Sequence, residues 1–305
     1  MQIHKGFDSF PRNINTTITT GTFDGVHLGH NKILDQLVSI GQKTQTETVL
    51  FTFVSHPRIV LFPDNDLKLI NSLEENINRL RSYNITHLIL QEFNKDFSRI
   101  SSLEYIRDVL INKLGMTNMV IGFNHHFGRN REGSIADLSE YADLYNFNIH
   151  QVEANIVNQK SISSTKIRDA INKGEMALAN QYLGYVFSFK ALVVQGAGRG
   201  RMIGFPTANL LLNQKYKITP MKGVYAVKVL YNNNTYQGMM NIGTNPTFNL
   251  KNSSIEVNIF DFSLNIYNQI VEVQVLKRIR NEKKFQSVDE LKRQLSLDKI
   301  SALNC

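Results

Sequence analysis

Apolar positions along the chain follow two different rhythms. Up to about residue 185, strand-like and helix-like segments alternate, the pattern of a parallel α/β sheet. Thr16–Thr20 is mostly β-branched and predicts a strand. A glycine-containing turn follows, then a helix with Ile33, Leu34, Leu37 and Ile40 on one face. Thr48–Val54, His87–Leu90, Met119–Ile121 and Phe147–Val152 predict further strands. Between them, helical stripes run through Leu73, Ile77 and Leu80, through Leu103, Ile106, Leu110 and Leu114, and through Ile135, Leu138 and Ala142. Two more helices are expected, one beginning near Ser164 and one from about Glu175 to Leu183.

From Val186 the apolar segments become short, rich in valine and tyrosine, and separated by turn residues. Val224–Leu230 and Thr235–Ile242 flank Asn232-Asn233-Asn234, a hairpin signal. Ile255–Phe262 and Ile270–Leu276 are further strands, and a helical stripe returns at Val288, Leu291, Leu295 and Ile300. The expectation is an antiparallel β-barrel with a terminal helix, joined to the α/β part near Gly184–Ser188. Two domains follow, 1–185 and 186–305.

Composition fits that division. A length of 305 residues with 42% apolar and 20% charged side chains suffices for two cores. The net charge of +8 suggests anionic partners such as nucleotides, or less specifically nucleic acid. The one cysteine, Cys305, cannot form an intrachain disulfide, which fits a reducing compartment. Met1 to Asn13 carries two basic residues with no apolar run behind them, so no secretory signal is expected. Nothing approaches a membrane span, and a cytoplasmic location is expected.

The first chemical constellation is Gly21-Thr22-Phe23-Asp24-Gly25-Val26-His27-Leu28-Gly29-His30. It sits where the first predicted strand meets the first helix, the edge at which open α/β sheets bind ligands. Free N–H groups at a helix start favour an anion, and glycines let backbone approach a phosphate. His27 and His30, three residues apart, can share a helix face and donate to oxygens at phosphorus. A second segment, Ser163-Ser164-Thr165-Lys166-Ile167-Arg168, combines capping hydroxyls with cations on a first helical turn. A third, Gly122-Phe123-Asn124-His125-His126-Phe127-Gly128, pairs two histidines with no acid or thiolate at ligand spacing, so no metal site is expected there.

The barrel part carries Gly196-Ala197-Gly198-Arg199-Gly200-Arg201-Met202-Ile203-Gly204, a glycine-rich loop able to wrap phosphates or simply to turn. It runs into Phe205-Pro206-Thr207-Ala208-Asn209-Leu210. Glu256 lies in Ile255-Glu256-Val257-Asn258-Ile259, where strand alternation points it away from its apolar neighbours.

Together these segments resemble the bifunctional bacterial riboflavin kinase/FMN adenylyltransferase (FAD synthetase) family over nearly the whole chain. His-x-Gly-His is similar to the nucleotidyltransferase signature, and the flanking Phe-Asp-Gly-Val to its FAD synthetase branch. The resemblance implies a Rossmann-like nucleotidyltransferase domain and a riboflavin kinase barrel that together make FMN and then FAD. It implies catalytic roles for His27, His30 and Glu256. Gly21, Phe23, Gly29, Ser164, Thr165, Arg168, Gly198, Gly204, Thr207 and Asn209 would bind nucleotide and phosphate. Asn124, Arg280, Glu282 and Phe285 would surround the flavin. Thr207 and Asn209 would hold Mg2+ arriving with ATP.

The implied partners are ATP, riboflavin, FMN and FAD, with neither nucleic acid nor membrane. The chain departs from the family pattern at Phe123, His125 and His126, at Asn258 (usually histidine), and at Asn268 (usually glycine). The first three motivate an alternative, a riboflavin kinase whose adenylyltransferase domain is weakened or regulatory. A nucleotidyltransferase acting on a CoA precursor would have no reason to carry the barrel. A flavin- or RNA-binding regulator, prompted by the charge, lacks the aromatic-basic signature of RNA-binding modules.

Overall fold

The computed structural model describes the chain except residues 65, 124–126, 130–131, 154–155, 158–159, 197 and 245–252. Two compact units are formed, Met1–Ser163 and Ser164–Cys305.

The first unit is built on six strands, β1 (Gln2–Lys5), β2 (Thr16–Thr20), β3 (Glu47–Phe53), β4 (His87–Gln91), β5 (Met116–Gly122) and β6 (Asn148–Val152). They lie in the order β1-β4-β3-β2-β5-β6 with every pairing parallel. β2 is central and buried along its length, as its run of β-branched residues dictates. Its threonines are tolerated there because their hydroxyls are satisfied: Thr16 Oγ1 donates to Leu114 O at 2.7 Å, and Thr17 Oγ1 shares a 2.6 Å bond with Thr46 Oγ1. The chain moves from β2 to β3 on one side and returns to β5 on the other. The carboxyl end of β2 is therefore a topological switch point, the place where such sheets bind ligands.

On one face the helix Leu28–Thr44 buries Leu34, Leu37 and Ile40. On the other, Ile106, Leu110 and Leu114 pack with Ile18, Phe51 and Met119. The segment Tyr105–Ile111 winds as a π-helix rather than an α-helix, but keeps the predicted apolar stripe inward. Several short elements have no counterpart in the sequence pattern. β1 is short and mostly exposed, and pairs on one side only. The helix Pro57–Leu61 has five residues, too few to show a period. A small antiparallel pair, β7 (Ile156–Val157) and β8 (Lys160–Ser161), follows β6.

The second unit opens with helices Ser164–Asn172 and Met176–Leu183. β9 (Ser188–Val194), β10 (Ala208–Leu211), β11 (Gly223–Tyr231), β12 (Asn234–Thr244), β13 (Ser253–Ile259) and β14 (Ile270–Arg280) then close into an antiparallel barrel in the order β10-β13-β12-β11-β14-β9. Closure leaves no free sheet edge. Tyr225, Val227, Val257, Val273 and Val275 fill the interior. On the outer face, Ala226, Met239 and Phe260 pack against Ala302 and Leu295 of the terminal helix Val288–Leu303. The β11–β12 hairpin turns on Asn232 and Asn233, with φ of 48° and 62°, the left-handed pair a two-residue turn needs.

The helix pair is fastened to this barrel. Asn180 Nδ2 donates to Val275 O (3.0 Å) and Leu276 O (3.2 Å), and Asn180 Oδ1 accepts from Phe187 N–H (2.8 Å). Met221 N–H donates to Ile171 O at 3.3 Å.

Candidate active sites

The loop leaving β2 carries left-handed backbone at Phe23 (φ 45°), Gly25 (φ 86°) and Val26 (φ 35°). For Phe and Val this costs on the order of 1–3 kcal/mol each, held in place by surrounding packing. Both side chains are buried. Asp24 supplies a further clamp. It is buried, and its carboxylate accepts from Ile70 N–H (3.0 and 3.1 Å) and Asn71 N–H (3.2 Å). This anchor joins segments far apart in sequence, so the motif alone gave no sign of Asp24's partners.

His27 caps the helix Leu28–Thr44, its Nδ1 accepting from Gly29 N–H at 3.1 Å. His30 Nδ1 accepts from His27 N–H at 3.4 Å. The two rings stack with centroids 3.7 Å apart and planes 17° from parallel, and Phe23 flanks His30 at 4.8 Å. Because each Nδ1 accepts a backbone hydrogen, the ring proton of the neutral imidazole sits on Nε2 in both. Burial, and secondarily the neighbouring His27, holds the His30 pKa well below its usual range. The pair thus offers Nε2–H donors. Gly29 gives the first ring room, since a Cβ there would lie 3.0 Å from His27 Cε1. A Cβ at Gly21 would meet the Phe23 ring at 3.1 Å.

Ser164 and Thr165 occupy the first turn of their helix, and Arg168 lies one turn on from Ser164 with the buried Ile167 between. Ser164 and the rest of this helix belong to the second compact unit. Phe123, just past β5, is 47% exposed. Asn124, His125 and His126 lie outside the described residues. Beyond β3, Val54, Leu61 and Phe62 are exposed apolar side chains.

On the barrel, residues at paired strand positions project from the same face. Asn209 of β10 pairs with Glu256 of β13, Glu256 with Asn241 of β12, Asn241 with Val224 of β11, and Val224 with Arg280 of β14. This row lies opposite the buried Ile255 and Val257, as the alternation predicts. Thr207 Oγ1 donates to Glu256 Oε2 at 3.3 Å. Asn258 Nδ2 donates to Pro206 O at 2.6 Å, tying the Phe205–Asn209 run to β13.

Gly198 (φ 68°) and Gly204 (φ 85°) turn the loop with open space where side chains would be. Gly196 instead lies so close to the Asn209 amide that a Cβ would collide with it. Gly243 stands in the same relation to Glu282 Oε1. Arg280 is engaged by Asp298 and lies 5.6 Å from the Phe285 ring. Asn268 adopts φ 61°, so the turn keeps the left-handed conformation without its usual glycine.

A family description of FAD synthetase matches residues 10–166, and one of riboflavin kinase matches residues 183–305. The chain is 38% identical over 302 residues to the bifunctional riboflavin kinase/FMN adenylyltransferase of Buchnera aphidicola subsp. Acyrthosiphon pisum (strain APS), covering 98% of this chain and 96% of that protein. To the protein of that name from Bacillus subtilis (strain 168) it is 38% identical over 292 residues, covering 94% and 92%. For Escherichia coli (strain K12) the figures are 33% over 286 residues, 93% and 91%. A crystal structure described as a macrolide-efflux protein from Streptococcus pneumoniae has the same fold, with a TM-score of 0.91 at 32% identity over 100% of this chain and 99% of that one. Among the described residues, no helix is long and apolar enough to cross a membrane. With both halves matched in order, the chain belongs to the bifunctional riboflavin kinase/FMN adenylyltransferase family: it phosphorylates riboflavin to FMN and adenylylates FMN to FAD.

Proposed function

We propose that the two reactions use two separate sets of side chains, one in the functional domain 1–185 and one in 186–305. In adenylyl transfer, an FMN phosphate oxygen attacks the α-phosphorus of ATP and the bond to the β-phosphate breaks. Nε2–H of His27 and of His30 donates to the phosphoryl oxygens as charge builds on them. Gly21, Phe23 and Gly29 shape the loop around the nucleotide. Ser164, Thr165 and Arg168 bring hydroxyls and a guanidinium of the kind that bind phosphate oxygens. Asn124 receives the flavin.

In phosphorylation, the terminal ribityl hydroxyl of riboflavin attacks the γ-phosphorus of ATP, Glu256 accepts its proton, and ADP leaves. Gly198 and Gly204 let the loop backbone approach the phosphates. Glu282 and Phe285 flank the flavin, with Arg280 behind them. The donors around Glu256 are a hydroxyl, an amide and a carboxylate, which suits magnesium rather than a softer ion. Magnesium prefers to share its shell with phosphates and water, so the ion would arrive with ATP. Thr207 and Asn209 would hold it, and bound there it would neutralise phosphate charge. We place the enzyme in the cytoplasm.

The observation that carries the two-site reading is the separate convergence of apt side chains, the His27–His30 pair in one compact unit and the Thr207–Glu256 pair in the other. Product analysis tests it. Purified chain with magnesium, ATP and riboflavin should give FMN and FAD, and with FMN should give FAD and pyrophosphate. FMN from the first tube with nothing from the second would instead favour the weakened-adenylyltransferase alternative.

A further inference from the structure

Asp298 is an acid for which neither reaction above has a use. It projects from the terminal helix and is 1% exposed. Its two oxygens both accept from Arg280 Nε (2.9 and 3.0 Å), and Oδ2 also accepts from Arg280 Nη2 at 2.7 Å. Gln294, one turn earlier on the helix, donates to Oδ1 at 2.9 Å. The third guanidinium nitrogen, Nη1, donates to Asn281 O at 2.9 Å. Each of the three nitrogens of Arg280 therefore already donates inside the protein.

A buried pair of this kind is weak evidence for stability, because desolvation offsets much of the attraction. What a two-pronged fork does fix is the plane of the guanidinium. That plane has two dependants. One is the Asn281 carbonyl, immediately before Glu282; the other is the Phe285 ring, 5.6 Å from the guanidinium carbon. Arg280 also ends β14 in the registered row that leads through Val224 and Asn241 to Glu256. The terminal helix thus reaches the segment after β14 at two points: Asp298 holds Arg280, and Glu290 accepts from Lys283 Nζ at 2.9 Å and from Gln286 N–H at 3.0 Å.

We propose that Asp298 is a positioning residue for riboflavin phosphorylation. It locks Arg280, and Arg280 in turn sets Glu282 and Phe285 against the flavin. On this account Arg280 is a bracket and not itself a flavin ligand. The proposal rests on the assignment of Glu282 and Phe285 to the flavin.

The experiment measures riboflavin KM, ATP KM and FMN-to-FAD turnover for Asp298→Asn, Arg280→Lys and Phe285→Ala. Asp298→Asn puts an amide donor against the guanidinium, and Arg280→Lys keeps the charge but removes the fork. For both, riboflavin KM should rise by roughly tenfold, as expected when a charge-assisted contact loses its geometry. ATP KM and FMN-to-FAD turnover should stay near wild type. Unchanged riboflavin KM in Asp298→Asn and Arg280→Lys, with Phe285→Ala raised, would overturn the proposal while leaving the flavin assignment intact. A parallel rise in both KM values would also overturn it, since that marks general disturbance of the barrel. Unchanged riboflavin KM in Phe285→Ala would remove the flavin assignment itself. Should Asp298→Asn fold poorly, Arg280→Lys alone decides.

Discussion

The imidazole of His27 lies flat on that of His30, ring centres 3.7 Å apart, and each ring is pinned through Nδ1 by a backbone N–H. One imidazole near a phosphate could rotate or change tautomer. Two that are stacked and pinned present fixed donors, the preorganisation that matters when charge builds at an oxygen.

His30→Ala should lower FAD formation from FMN by roughly 10²–10³-fold, the scale of losing one aligned donor. FMN formation from riboflavin should be spared. Glu256→Ala should do the reverse, abolishing FMN formation while added FMN is still converted. Chromatography of both reactions for both variants checks this, and equal damage to both steps in each would refute the two-site assignment. Because His30 is held neutral well below its usual range, its variant should differ from wild type at pH 6 as much as at pH 8.

Glycine positions separate crowding from conformational freedom. A Cβ at Gly196 would strike the Asn209 amide, whereas one at Gly198 meets nothing within 4 Å. Gly196→Ala should displace Asn209 and cut kinase turnover about 10²-fold, the effect of roughly an ångström of misplacement. Gly198→Ala faces only the strain of φ 68° and should cost less. Steady-state phosphorylation rates rank the two, and the opposite ranking would contradict the placement of Asn209.

Acid should loosen the first unit through His87. Its Nδ1 meets His4 Nε2 at 3.0 Å, its Nε2 lies 3.8 Å from Glu47 Oε2, and Phe10 edges onto both rings. Burial chiefly, then His4 and the amino terminus, lowers the pKa of His87 against the opposing pull of Glu47. The unfolded chain takes up a proton near pH ~6.5 that folded His87 resists. Stability present at neutral pH is therefore lost as pH falls below ~6.5, with a slope of at most about 1.4 kcal/mol per pH unit for one proton. Urea unfolding at pH 7 and pH 5.5 should show this loss, and His87→Gln should reduce the difference. An identical pH dependence in the variant would exclude His87 as its source.

Much of the fold was legible because periodicity reports burial. Thr16–Thr20 is β2 residue for residue, and the Leu34, Leu37 and Ile40 stripe is the buried face of its helix. β1 was not legible, since a short exposed edge strand has no apolar signature. Local motifs singled out His27, His30, Thr207 and Glu256, which the structure brings together as the His27–His30 and Thr207–Glu256 pairs. The hold of Asp24 on Ile70 and of Asp298 on Arg280 spans 46 and 18 residues, and no spacing rule reports such pairings. The chain's departures also found physical explanations: Asn258 holds the Pro206 carbonyl, and Asn268 supplies the left-handed turn.

The hydrogen bonds of Asn180 bear on how this protein could be cut. Its side chain grips two carbonyls of β14 and the N–H of Phe187, so the helix pair is a fixture of the barrel. A fragment starting at residue 183, where the riboflavin kinase match begins, would leave those partners without Asn180 and uncover the surface beneath Ile171. The riboflavin kinase match begins at residue 183, whereas the compact unit that holds the barrel begins at Ser164. A fragment that keeps the barrel whole would therefore start at Ser164 and carry both helices with it.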